Sequence, residues 1–226
     1  MKNGIFKDFF RYLFLSLIII PTAIGKADTI PEVSVKRILF IGDSMTGWLS
    51  ERLNAYGQEN DFDVATIVWD GSTITQWGST KKLNSLILEQ NPDAVFISLG
   101  LNELFEPNPS KLKVYVDNIC KAIGDRPMLW VGPPSWPGHD KGEILIKWLK
   151  KELGEDSFFD SFNLTLSRQS STNPHPTREG IVKWVDAIVE WIPENSSFKL
   201  PGANRPTGNK MVRGDTFIYK RMKEQL

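Results

Sequence analysis

The stretch Ile38-Leu39-Phe40-Ile41-Gly42-Asp43-Ser44-Met45-Thr46 decides how this chain is read. Four apolar residues in succession describe a strand buried on both faces. Gly-Asp-Ser stops that strand, and Trp48, Leu49, Leu53 and Tyr56 then recur near helical spacing. Ser44 therefore belongs where a core strand ends and a helix begins. In an open α/β sheet, ligands bind outside the carboxyl ends of the strands. A helix N-terminus directs unpaired N–H groups and partial positive charge to the same place. A serine held there is suited to attack a carbonyl while its own N–H steadies the oxyanion. Gly-Asp-Ser also occurs in ordinary turns, so this reading needs support from elsewhere in the chain.

Working outward, strand patterns fall at 37–42, 64–69, 94–99 and 128–132, with a weaker one near 157–160. Helical patterns fall at 47–59, 79–90, 110–124, 141–153 and 178–192. This alternation predicts crossover units and a parallel sheet covered on both faces. The last helix is the clearest, with Ile181, Val182, Val185, Ile188, Val189 and Ile192 on one stripe and Thr177 as its N-cap. From Pro193 onward, prolines and glycines interrupt any period. Lys199, Arg205, Lys210, Arg213, Lys220, Arg221 and Lys223 face only Glu194, Asp215 and Glu224. Residues 193–226 read as a basic, solvated extension; packing on the domain edge or contact with an anionic surface are the alternatives.

Composition narrows the function classes. With 41% hydrophobic and 24% charged residues, the 226-residue chain can build one ordinary core plus extensions. Lys plus Arg and Asp plus Glu both number 27, so no overall field favours nucleic acid. Cys120 is the only cysteine, which excludes an internal disulfide and a cysteine zinc cluster, and its apolar helical context marks it as a packing residue. Lys2, Lys7 and Arg11 precede an apolar run from Tyr12 to Ile20 and then small residues, the pattern of a secretory signal peptide over 1–27. That run is shorter than the ~20 apolar residues of a spanning helix. The mature chain is thus expected outside the cytoplasm, periplasmic or secreted, with an uncleaved N-terminal anchor as the alternative.

Three further stretches lie at predicted strand ends or before a helix. Trp69-Asp70-Gly71-Ser72-Thr73 follows the second strand, where glycine lets a backbone approach a ligand closely. Ser98-Leu99-Gly100-Leu101-Asn102-Glu103 follows the third, and the Asn102 amide can donate to a developing oxyanion. Asn173-Pro174-His175-Pro176-Thr177 precedes the last helix, with two prolines restricting the loop around an imidazole suited to proton transfer. His139, beside Asp140 after the fourth strand, is the only other imidazole.

Together these blocks resemble the SGNH hydrolases, the GDSL-like lipases and esterases, over residues 36–192. Ser44, Gly71, Asn102 and His175 match that family's four blocks in order, and His-Pro-Thr-x-x-Gly is a frequent form of its last one. The resemblance implies a three-layer α/β/α, flavodoxin-like domain over 28–192 with about five parallel strands. It implies Ser44 as nucleophile, His175 as base, an oxyanion hole of Ser44, Gly71 and Asn102, and no metal or other cofactor. The chain departs from the family twice. Glu103 stands where an Asp is usual, and Thr172 stands where the family places the Asp that orients the histidine. Thr172 and Asp160 are the candidate orienters, and Trp77, Trp136 and His139 are candidates for the substrate cleft. The expected substrate is an ester, small or polymeric, foremost an acetyl ester of a carbohydrate or envelope polymer. O-acetyl transfer, lipid-ester hydrolysis and a weakly catalytic glycan-binding module are the alternatives. The sequence does not indicate an oligomeric state.

Overall fold

The computed structural model describes residues 35–138 and 141–219. The expected signal peptide over 1–27 and the candidate His139 lie outside the described residues.

Apolar strand residues alternate between two faces, and each face has its own helices. Leu39, Ile41, Ile67, Ile97 and Trp130 point to one side, and Ile38, Phe40, Val64, Phe96 and Leu129 to the other. The strands are β1 (Arg37–Gly42), β2 (Asp63–Trp69), β3 (Ala94–Ser98), β4 (Met128–Val131), β5 (Phe158–Phe159) and β6 (Thr216–Tyr219). They form one sheet in the order β5-β4-β3-β1-β2-β6, with every pairing parallel. Burial on both faces explains why each central strand reads as an apolar run.

The helices are α1 (Ser44–Asn60), α2 (Ile74–Ser79), α3 (Lys82–Gln90), α4 (Lys113–Ile123), α5 (Glu143–Leu153) and α6 (Arg178–Asn195). α1 and α6 cover one face through Leu49, Leu53, Tyr56, Trp184, Val185 and Ile188. α2 to α5 cover the other through residues such as Trp77, Leu83, Ile119 and Leu149. The three-layer α/β/α arrangement is therefore present. The single helix expected over 79–90 is two. Thr73 and Gln76 form a reciprocal capping box that starts α2 early, and α3 begins after a break at Thr80 and Lys81. The helix expected over 110–124 opens with a 3₁₀ turn at Pro109–Leu112.

The sheet has six strands rather than about five, and the sixth comes from the segment expected to be a solvated extension. Pro193 lies within α6, and the chain beyond it returns across α1 and α6 as a strap ending in β6, beside β2. The anchor is Arg52, whose side chain is fully buried. Its guanidinium grips Asp186 of α6 and donates to the carbonyls of Pro206, Gly208 and Lys210. Tyr56 also donates to Asp186 at 2.8 Å, and Arg205 adds a second ion pair. Burial and the Asp186 carboxylate together push the Tyr56 phenol well above its ordinary range. Asn60 exchanges two hydrogen bonds with the Asn204 backbone. An irregular segment without periodicity is thus held by side chains that satisfy its carbonyls, which hydrophobic patterning cannot reveal.

Arg52→Met should lower unfolding free energy by roughly 3–5 kcal/mol, because Asp186 loses a buried partner and three carbonyls lose their donor. Urea denaturation checks the magnitude. Limited proteolysis should cut the variant first between 199 and 215.

Candidate active site

Backbone contact fixes where the site begins. At Gly42, the last residue of β1, an added Cβ would lie 2.1 Å from the Ser98 carbonyl oxygen, so only glycine allows the two strands to end this closely. The Asp43 N–H donates to that same carbonyl at 3.1 Å. Asp43 then caps α1, taking the Met45 N–H on Oδ1 at 3.0 Å and the Thr46 N–H on its own carbonyl. Ser44 is consequently the first helical residue, half-buried at the carboxyl end of the sheet.

The histidine loop arrives from the other side of the chain. Ser44 Oγ lies 3.0 Å from His175 Nε2. The loop is braced by the Thr177 N–H donating to Ser167 O, by a β-bridge between Arg168 and Pro176, and by Arg168 donating to Ser135 O at 2.9 Å. Thr177 caps α6 as the spacing predicts, accepting from the Gly180 N–H. Gly180 is packed so tightly that a Cβ would stand 2.6 Å from Ser167 O.

The group at His175 Nδ1 is neither of the candidate orienters. Thr172 is exposed and pairs with Ser170, and Asp160 caps the Phe162 N–H at 2.9 Å. Asn173 Oδ1 instead lies 3.2 Å from Nδ1 and accepts the His175 backbone N–H at 2.9 Å. Because the backbone N–H can only donate, the facing atom of Asn173 is an acceptor. Its bond to Nδ1 then requires the proton on Nδ1, which leaves Nε2 with a free lone pair toward Ser44. Asn173 was missed because the family pattern directs attention three residues before the histidine. The available signal was the local habit of Asn side chains to bond backbone two residues on.

Asn102 follows β3 and donates from Nδ2 to Ser72 O at 2.7 Å, which ties it to the loop carrying Gly71. An amide NH₂ has two donors, so one remains for a ligand. Gly71 adopts φ +67 with nothing within 4 Å of an added Cβ, so its glycine requirement comes from the turn alone. Glu103 accepts the Ile74 N–H, joining the same two loops a second time.

Two carboxyls lie behind the site, Asp43 buried and Glu103 partly buried. Asp43 is pushed from 3.8 to about 7, first by burial and further by the nearby Glu103 and Asp70. Glu103 is likewise pushed from 4.5 to about 7 by burial. Asp43 Oδ2 and Glu103 Oε2 are both buried without a hydrogen-bond partner, consistent with carboxyls that retain a proton near neutrality.

Of the two tryptophans expected at the cleft, one lies in the core. Trp77 is 0% exposed, donates to Ser72 Oγ and packs edge-on to Trp69, so it belongs to the core. Trp136 is half-buried and packs edge-on against Phe105. A cleft of about 400 Å³ joins Ser44 to Gly47, Trp48, Glu51, Val68, Asp70, Arg213, Gly214 and Thr216. Trp48 is 54% exposed and one helical turn beyond Ser44, a spacing that places both on one face of α1. The strap thus supplies one wall of this cleft. A larger concavity, about 610 Å³ around Lys36, Gln58 and Asp61, includes neither Ser44 nor His175. Cys120 is half-buried with its thiol pushed up by burial, away from these residues. Among the described residues no group of His, Cys, Asp or Glu is arranged to hold a metal ion, and no helix is long and apolar enough to cross a membrane.

No protein-family model and no curated protein matches the chain. Its fold is nonetheless shared with solved structures. One is the family 3 carbohydrate esterase of Clostridium thermocellum, with TM-score 0.53 and 16% identity over 68% of this chain and 93% of that one. Another is a gut microbial diltiazem-metabolizing enzyme, with TM-score 0.51 and 14% identity over 72% of this chain. The chain spans 48% of that second protein. At these identities the likeness establishes the fold, which is the three-layer α/β/α arrangement expected from the sequence.

The buried Asp43 carboxyl gives a testable pH dependence. Folded Asp43 keeps its proton to about pH 7, whereas the unfolded chain releases it near 3.8. Between those values the folded state binds more protons, so this contribution is full at acid pH and is lost as pH rises. Asp43→Asn keeps an acceptor for the Met45 N–H and removes the titration. The wild type should lose roughly 2–4 kcal/mol more stability than Asp43→Asn between pH 4 and 7.5. Denaturant unfolding at both pH values checks this, and parallel pH curves would contradict it.

Proposed function

We propose that this chain is an exported serine esterase that removes acyl groups, foremost acetyl, from a carbohydrate or envelope polymer. The observation that carries the reading is the 3.0 Å contact of Ser44 Oγ with His175 Nε2 at the carboxyl edge of a parallel sheet. His175 takes the Ser44 proton on Nε2 as Oγ bonds to the ester carbonyl carbon. The carbonyl π-pair moves onto oxygen, where the Ser44 and Gly71 N–H groups and the second Asn102 N–H stabilise it. Collapse of this intermediate breaks the carbon–oxygen bond to the alcohol, which leaves with the proton from His175. Water then repeats the sequence on the acyl-enzyme, losing a proton to Nε2, and the acid is released as Ser44 regains its hydrogen.

Asn173 fixes the tautomer that this sequence needs. As a neutral amide it gives the imidazolium less electrostatic support than a carboxylate would, so the reaction proceeds more slowly than with an Asp partner. The carbohydrate esterase among the fold neighbours supports an acyl ester as substrate. The basic and then apolar N-terminal run supports export.

Ser44→Ala should lower kcat on 4-nitrophenyl acetate by about 10³-fold or more. Asn173→Ala should lower it by roughly tenfold to a hundredfold, through a misoriented imidazole. Steady-state kinetics on purified protein checks both. A wild type without activity, or a Ser44→Ala variant that matches it, would overturn the assignment.

A further inference from the structure

The cleft between α1 and the strap combines features that the acyl-transfer chemistry does not use. Trp48 presents an exposed indole one turn beyond the nucleophile. Glu51, Asp70, Arg213 and Thr216 line the same cleft. Arg213 Nε is 3.7 Å from Glu51 Oε1, so the charges are partly paired across the opening.

The wall that carries Arg213 is held in place. The Val212 N–H donates to Glu51 O at 2.8 Å, and the Thr66 N–H donates to Asp215 O at 2.9 Å. Gly214 lies so close to α1 that an added Cβ would meet Asn54 Nδ2 at 2.4 Å. A cleft whose walls are already ordered loses little freedom when a ligand enters.

We propose that this cleft is a saccharide subsite, in which a pyranose ring of the alcohol part of the substrate stacks on Trp48 while its hydroxyls bond to Glu51, Asp70 and Arg213. This deepens the esterase reading and rests on it for the chemistry at Ser44. A sugar ring has an apolar face for the indole and a rim of hydroxyls that both donate and accept. Carboxylates accept from such hydroxyls and a guanidinium donates to them. A fatty acyl chain is a poor occupant, because it would desolvate three charged side chains without replacing their hydrogen bonds. The volume of about 400 Å³ suits a small ligand rather than a long chain.

Two substrates separate the subsite from the chemistry: 6-O-acetylglucose, which carries a ring and free hydroxyls, and ethyl acetate, which carries neither. An aryl acetate is unsuitable as the reference, because its own ring can stack on Trp48. Trp48→Ala should lower kcat/KM on 6-O-acetylglucose about tenfold more than on ethyl acetate, chiefly through KM, and Trp48→Phe should restore most of the difference. Equal losses on both substrates would overturn the subsite and leave the esterase reading standing. Binding gives an independent readout. In saturation-transfer NMR, Ser44→Ala protein should transfer magnetisation to the ring protons of 6-O-acetylglucose, and Ser44→Ala/Trp48→Ala protein should not. Transfer that survives removal of Trp48, or is absent with Trp48 present, contradicts the subsite. Transfer that depends on Trp48 in a wild type without hydrolysis would uphold the subsite while the esterase reading falls.

Discussion

A side chain at position 42 would occupy the space of the Ser98 carbonyl, and the rest of the site follows from that restriction. Because β1 and β3 end this closely, the chain must turn at once into α1, with Asp43 bonded to Ser98 and capping the helix. Ser44 is then the first residue of a helix aimed at the sheet edge. Its backbone N–H makes no hydrogen bond within the described residues, as expected for an early helical position. Parallel strands bring the other pieces to the same edge. β2 delivers Gly71 and Ser72, and β3 delivers Asn102 and Glu103, which fasten the two loops together.

The molecule accepts two costs to keep this arrangement. Asp43, buried, and Glu103, partly buried, each keep an unpartnered buried oxygen behind Ser44. The Arg52–Asp186 pair is buried between α1 and α6, where desolvation opposes most of the Coulomb gain. Its contribution is one of specificity: a guanidinium that also satisfies three carbonyls permits one path for the strap. That path ends in β6 and places Arg213 and Thr216 opposite Trp48. Fold stability and the shape of the cleft are therefore linked through one side chain.

The sheet, its helical layers and the meeting of Ser44 with His175 were legible because they rest on period and punctuation. Apolar runs bounded by glycine mark buried strands, and the order of the four blocks marks the strand ends. The strap was not legible, because its affinity for the domain lies in carbonyls received by Arg52 and Asn60, residues on a helix that otherwise looks solvated at those positions. Asn173 was obscured by a family pattern that points one residue further back. Trp77 misled because an indole beside a site residue in sequence is still foremost core material. Trp48 was recoverable, since position 48 lies one turn from Ser44 on the same helix.

The account depends on Ser44 being a nucleophile activated by His175. Intact-mass measurement after exposure to a fluorophosphonate tests this without any assumption about substrate. One equivalent of phosphonyl adduct should form on the wild type, map to the peptide containing Ser44, disappear in Ser44→Ala and form far more slowly in His175→Ala. Adduct formation that is absent in the wild type, or undiminished in His175→Ala, would contradict it.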